Sequence, residues 1–144
     1  MHYHFDVPRD RFLAEVEAGK FLEHAHVHGN IYGSSFAAVE AVKRSGKVCL
    51  LDIDVQGAEN VKRSDLGAVF LFIAPPSMEE LERRLRGRGT ESEEKIGVRL
   101  ANAQKELSKP KDDPTFFDAV LVNSDLETCY MQMKEFISDK VVSL

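Results

Sequence analysis

Two aspartates at spacing two, Asp52 and Asp54, close the apolar run Val48, Cys49, Leu50, Leu51 within K-V-C-L-L-D-I-D-V-Q-G, residues 47–57. Carboxylates at the carboxyl end of a strand in an open α/β sheet are placed to meet a hydrated magnesium ion or a cationic partner. The plainer reading makes one of them the cap of a helix starting near Gln56 and leaves the other in solvent. A second constellation is cationic. Five of the nine arginines, Arg83, Arg84, Arg86, Arg88 and Arg99, fall within seventeen positions, and their densest part, R-L-R-G-R-G-T, carries two glycines. A glycine-flanked turn of this kind suits a mobile flap that neutralises an anion. The alternative is that these arginines pair with Glu79, Glu80, Glu82, Glu91, Glu93 and Glu94 on solvated helix faces, each pair contributing less than about 1 kcal/mol.

Three histidines at spacing two, His24, His26 and His28, share one face of an extended segment, with His2 and His4 at the same spacing near the start. Three imidazoles on one strand face can hold zinc, although histidine is also common on half-exposed strands and a zinc site usually takes a fourth ligand. Glu23, Ala25 and Val27 occupy the other face. A carboxylate among apolar neighbours is costly unless paired, so Glu23 is either a salt-bridge partner or an acceptor for the N–H groups of a ligand.

The elements that must position these groups follow from periodicity. A short strand at 2–6, a helix after Pro8 that stops at Gly19, and a hairpin of Phe21 to Val27 with Ile31 and Tyr32 around a Gly29-Asn30 turn make a small lobe. Ser34 or Ser35 caps a helix over 36–44. The run at 48–51 reads as a strand buried on both faces, a short helix runs to Arg63, and Ala68 to Ala74 reads as a second apolar strand, which implies a right-handed parallel crossover. Ser77 with Glu80, Thr90 with Glu93, and Ser124 with Glu127 read as capping boxes of three further helices. Residues 108–115, S-K-P-K-D-D-P-T, read as a polar loop, and Ala119 to Val122 as a third strand ending at Asn123.

With 144 residues, 43% hydrophobic, the chain suffices for one domain. A net charge of -5 disfavours a general nucleic-acid-coating role. Two cysteines read as reduced thiols, and no apolar run is long enough to span a bilayer. These features lead to the expectation of a cytoplasmic protein with no nucleic-acid or membrane partner.

Taken in order, Y-H-F at 3–5, F-L-E-H-A-H-V-H-G-N-I-Y-G-S at 21–34, L-D-I-D-V-Q-G at 51–57, A-P-P-S at 74–77, L-R-G-R-G-T-E at 85–91 and R-L-A-N-A-Q at 99–104 resemble the guanylate kinase family over essentially the whole chain. The resemblance implies an α/β fold: a P-loop-kinase-like parallel sheet with helices on both faces, a GMP-binding hairpin lobe over 1–34, a core over 35–84 and 117–144, and a helical lid over 85–116. It implies ATP-dependent phosphorylation of GMP by a monomer, with Mg2+ as cofactor. In its terms Glu23 accepts from guanine N1 and the exocyclic amine, Ser34 meets O6, and Tyr3 and Tyr32 hold the GMP phosphate. Asp52 and Asp54 lie between the nucleotides, Asp52 near magnesium through bound water and Asp54 near the guanine lobe. Arg86, Arg88 and Arg99 close onto the ATP phosphates, and Asn123 sits near the adenine.

The family's opening strand and its G-x-x-x-x-G-K-[ST] loop have no counterpart in these residues, so the central P-loop strand is expected to be missing and the chain to show little activity alone. That leaves two readings: an amino-terminally truncated guanylate kinase, or a non-catalytic guanylate-kinase-like module for phosphorylated peptides. Glu23 and Ser34 favour the first, because a peptide has no guanine edge to read.

Overall fold

The computed structural model describes residues 7–27, 30–64, 66–89 and 92–142, with the side chains of 25–27, 30 and 142 outside that description. The chain divides into two compact units, 1–68 and 69–144.

In the first unit, helix α1 (Arg9–Glu17) starts after Pro8, whose φ of -54° already suits a first turn, and ends at Ala18. Its Phe12 ring meets Phe21 of strand β1 (Phe21–Val27) at 4.4 Å between centroids. Strand β2 (Asn30–Ser35) pairs antiparallel with β1, and helix α2 (Phe36–Arg44) follows directly, capped by Ser35 Oγ, which accepts from the Ala38 N–H at 3.2 Å. Helix α3 (Val55–Arg63) buries Gly57, Ala58 and Val61, which with Leu22 and Val39 form the core of this unit.

The hairpin register contains one irregularity. Phe21 faces Ser35 and Glu23 faces Ser34, so Leu22 is an extra residue on β1, turned inward and 4% exposed. A bulge shifts every residue on one side of it by one place. Without it Glu23 would face Gly33. Gly33 itself permits close approach of the strands: a Cβ there would lie 2.6 Å from the Glu23 carbonyl oxygen and 2.8 Å from the Phe21 ring. Gly33→Ala is expected to lower stability by about 1–3 kcal/mol through this overlap, read as a lower denaturation midpoint at unchanged slope.

The second unit is built on a parallel pair. Strand β3 (Leu71–Ala74) runs beside β4 (Ala119–Val122) with Leu71 facing Ala119 and Ala74 facing Val122. Asp118 fixes the start of this register, its N–H donating to Phe70 O at 2.8 Å and its Oδ2 accepting from Phe70 N–H at 2.7 Å. Phe70, Phe72, Phe116 and Phe117 cluster at centroid distances of 4.7 to 5.6 Å. Helices α4 (Met78–Gly87) and α5 (Glu93–Asp112) form the crossover, and α6 (Leu126–Ile137) continues into a π-helical turn at Ser138–Val142. Ala74, Leu85, Ile96, Phe116 and Cys129 are the buried apolar residues of this unit.

Several expectations are corrected. Residues 48–51 form no strand: a strand exists through its ladder bonds, none of the described strands lies beside this run, and Val48 and Leu50 stay 48% and 70% exposed. The expected crossover from 48–53 to 68–74 is therefore replaced by the one joining β3 to β4, and β3 itself is shorter than expected. Helix α5 runs through the expected loop to Asp112 with Pro110 inside it. Proline removes one N–H, which one late turn of a 20-residue helix tolerates. Ser92, not Thr90, caps α5, and Asp125, not Ser124, caps α6, accepting from Thr128 N–H at 2.9 Å. The expected box at α4 forms by half: Ser77 Oγ accepts from Glu80 N–H at 3.1 Å, while the Glu80 carboxylate faces arginines. The strand expected at 2–6 lies outside the described residues. No described helix is long and apolar enough to cross a membrane, and Cys49 and Cys129 are free thiols.

Candidate active site

The hairpin of the first unit gathers three of the expected site residues. Because the bulge at Leu22 sets Glu23 opposite Ser34, and Tyr32 lies two residues from Ser34 on the same strand, Glu23, Ser34 and Tyr32 share one face. Glu23 and Ser34 are half-buried and Tyr32 is 47% exposed. Among the described residues nothing hydrogen-bonds or ion-pairs with the Glu23 carboxylate or the Ser34 hydroxyl. A half-buried carboxylate with its acceptor sites unused is poised for a donor from outside the chain. Of the two roles open to Glu23, the salt bridge is not formed among the described residues.

The start of α3 borders this face. A Cβ on Gly57 would lie 3.5 Å from Glu23 Cβ and 3.2 Å from Asp54 Oδ1, so glycine lets the first turn of α3 approach the glutamate. Asp54 accepts from Gly57 N–H at 2.8 Å and is the cap of α3. Asp52 is exposed, and no bond to it occurs among the described residues. The plainer reading of this acid pair therefore describes their bonding: one caps, the other is solvated. Asp52 retains both oxygens for a hydrated cation, and magnesium, which keeps several of its waters, is compatible with a single carboxylate held through water.

The imidazoles of His26 and His28, the whole of His2 and His4, and Tyr3 lie outside the described side chains. No group of three or more metal-ligating residues occurs among the described residues.

In the second unit the arginines divide. Arg83 and Arg84 both grip Glu80, at 2.7 and 2.6 Å, and hold its carboxyl well below the usual range, at about 2, Arg83 contributing most. Arg86 bonds Glu82 at 2.8 Å and also Glu93, and these two carboxylates raise its already high pKa further. The paired-face alternative thus describes Arg83, Arg84 and Arg86. Arg88, the C-cap of α4, is exposed, and its guanidinium has no hydrogen bond or ion pair among the described residues, while Arg99 lies on α5 and is exposed. Gly89, at φ +63°, follows Arg88 and gives the left-handed step that ends α4.

Sequence reasoning passed over Arg84 as one more charge on a helix face. Its guanidinium donates to Asn123 O at 2.8 Å and to Ser124 O at 3.2 Å, tying α4 to the loop after β4 that carries Asn123. A weak signal existed: Arg84 lies three residues after Leu81 and beside Leu85, at the edge of the apolar stripe, whereas Arg83 points away from it. Side-chain exposures of 33% and 74% bear out that difference.

The family model for guanylate kinase matches residues 1–140. Guanylate kinase 1 of Oryza sativa subsp. japonica is 56% identical over 138 residues, which cover 96% of this chain and 36% of that protein. The guanylate kinase of Sus scrofa is 42% identical over 139 residues, covering 96% of this chain and 69% of that protein. The crystal structure of guanylate kinase from Anaplasma phagocytophilum superposes with a TM-score of 0.64 at 33% identity, over 96% of this chain and 65% of that one. The chain thus spans about a third of the plant relative and about two thirds of the others, and across nearly all of its own length it belongs to the guanylate kinase family.

Proposed function

We propose that the protein transfers the terminal phosphoryl group of ATP to GMP, giving ADP and GDP. The observation that carries this reading is the facing pair Glu23 and Ser34, both without a partner in the described chain. Guanine offers two neighbouring donors, N1–H and the exocyclic amine, beside an acceptor at O6. A carboxylate accepting from the first two and a hydroxyl donating to the third matches that edge. Adenine reverses the pattern and would leave the carboxylate unpaired, which is the more costly outcome. Tyr32 on the same face, with Tyr3, serves the GMP phosphate, and Asp54 lies beside the guanine site as the cap of α3.

On the second unit Arg88 and Arg99 supply positive charge to the ATP phosphates, and Asn123, on the loop tied down by Arg84, borders the adenine. Asp52 would hold Mg2+ through water, and the ion, when bound, would supply positive charge to the phosphates. Phosphoryl transfer asks the protein mainly for alignment and charge stabilisation, so no nucleophilic side chain is required. The same reading makes this a monomeric cytoplasmic enzyme of purine nucleotide metabolism. A module for phosphorylated peptides would leave the carboxylate of Glu23 and the hydroxyl of Ser34 without a task.

In a coupled assay with ATP and magnesium, the natural full-length protein is expected to convert GMP at on the order of 1–100 per second, and AMP roughly 100-fold more slowly or worse. Equal turnover of the two, or binding of GMP with no turnover, would overturn the proposal.

A further inference from the structure

We propose that Arg86 is a positioning residue: with Glu82 and Glu93 it sets the angle between α4 and α5, and so places the neighbouring Arg88 for phosphate oxygens. This deepens the function proposed above and rests on it.

The argument begins with how the Arg86 guanidinium is used. Its Nε and one terminal nitrogen both reach Glu82 Oε1, at 2.9 and 2.8 Å, and the other terminal nitrogen reaches Glu93. All three nitrogens are thus engaged by carboxylates. The triad has a net charge of -1, so Arg86 offers an incoming phosphate neither a free fork nor a net positive field. Arg88, two residues later, has a guanidinium with no partner among the described residues. Glu82 lies on α4 and Glu93 in the first turn of α5, so the tie joins the end of one helix to the start of the other, and Gly89 at φ +63° ends the first of them. Exposed pairs are individually weak, so loss of the tie is a several-fold effect and no more.

Direct phosphate binding by Arg86 and positioning by Arg86 predict opposite consequences when its partners are removed. If Arg86 were a phosphate ligand, Glu82 and Glu93 would compete with ATP, and neutralising them would tighten ATP binding. If it positions the two helices, losing the acids is equivalent to losing the arginine.

The experiment uses the natural full-length protein with Arg86→Gln, the double variant Glu82→Gln with Glu93→Gln, and Glu94→Gln. The last removes a charge from the same first turn of α5 without touching the tie. KM for ATP and for GMP, kcat, and amide hydrogen exchange over 93–97 are measured at low and high salt. Arg86→Gln and the double variant are each expected to raise KM for ATP roughly fivefold at low salt, to leave KM for GMP unchanged, and to speed exchange over 93–97. Glu94→Gln should match the parent, and high salt should bring the parent towards the variants. A double variant that binds ATP as well as or better than the parent, while Arg86→Gln binds it worse, would overturn the proposal in favour of direct contact. Unchanged exchange and unchanged KM in both would overturn it outright. Absence of turnover in the parent would sink the proposed kinase function instead, and the exchange data would still decide the tie.

Discussion

Glu23→Gln is expected to cost roughly 100-fold in GMP affinity and to abolish the preference for GMP over AMP, with ATP binding unchanged. The substitution preserves shape and replaces one acceptor oxygen by a donor amine. Facing N1–H and the exocyclic amine of guanine, the new amide can accept from one donor but must oppose its own N–H to the other. Two hydrogen bonds to a charged acceptor, at about 1.5–3 kcal/mol each, become one neutral bond and one clash, which sets the magnitude. Misfolding is not expected to confuse the result, because the Glu23 carboxylate holds no partner among the described residues and its removal breaks no bond there. Calorimetric titration of both nucleotides into parent and variant provides the measurement. A GMP affinity within threefold of the parent would remove Glu23 from the site and leave the peptide-module reading as the stronger one.

Much of what surrounds this glutamate was legible in the sequence, because it depends on local chemistry. The residues of β1 and β4, the span of α2 and the capping serines at 35 and 77 all follow from alternation, periodicity and the hydroxyl that accepts from the third N–H onward. The facing of Glu23 and Ser34 was not legible. It turns on one bulged residue, Leu22, and a bulge is decided by the packing of that leucine and by the strand contact that Gly33 permits. Apolarity at 48–51 signals burial without naming a neighbour, and without a ladder the run stays irregular. Pro110 and Pro114 read as loop because proline weakens a helix, yet α5 passes the first of them near its end, where one lost bond is tolerable. The arginines show the same limit. Type and spacing place Arg83, Arg84, Arg86 and Arg88 in one cluster, but which of them a glutamate or a carbonyl engages is a matter of rotamer and tertiary neighbour.

That division among the arginines gives the second large effect. Arg88→Ala is expected to lower kcat by on the order of 10²- to 10³-fold, with KM for GMP little changed, because Arg88 is the member of its turn whose guanidinium has no ion pair among the described residues. An arginine supplied to a transferring phosphoryl group stabilises charge that builds only in the transition state, and such residues are worth about 10³–10⁵ in rate. The lower range is expected here because Arg99 remains to share the role. Arg88→Lys should recover part of the loss, since an ammonium restores the charge without the two-pronged fork. By contrast Arg83→Ala, which removes a residue whose 74%-exposed side chain bonds Glu80, should leave kcat within about threefold of the parent. The contrast between two members of one basic run makes the measurement decisive. Equal losses for Arg83 and Arg88 would mean that the cluster acts through its summed field, and the assignment of phosphate contact to the unpaired arginine would be wrong.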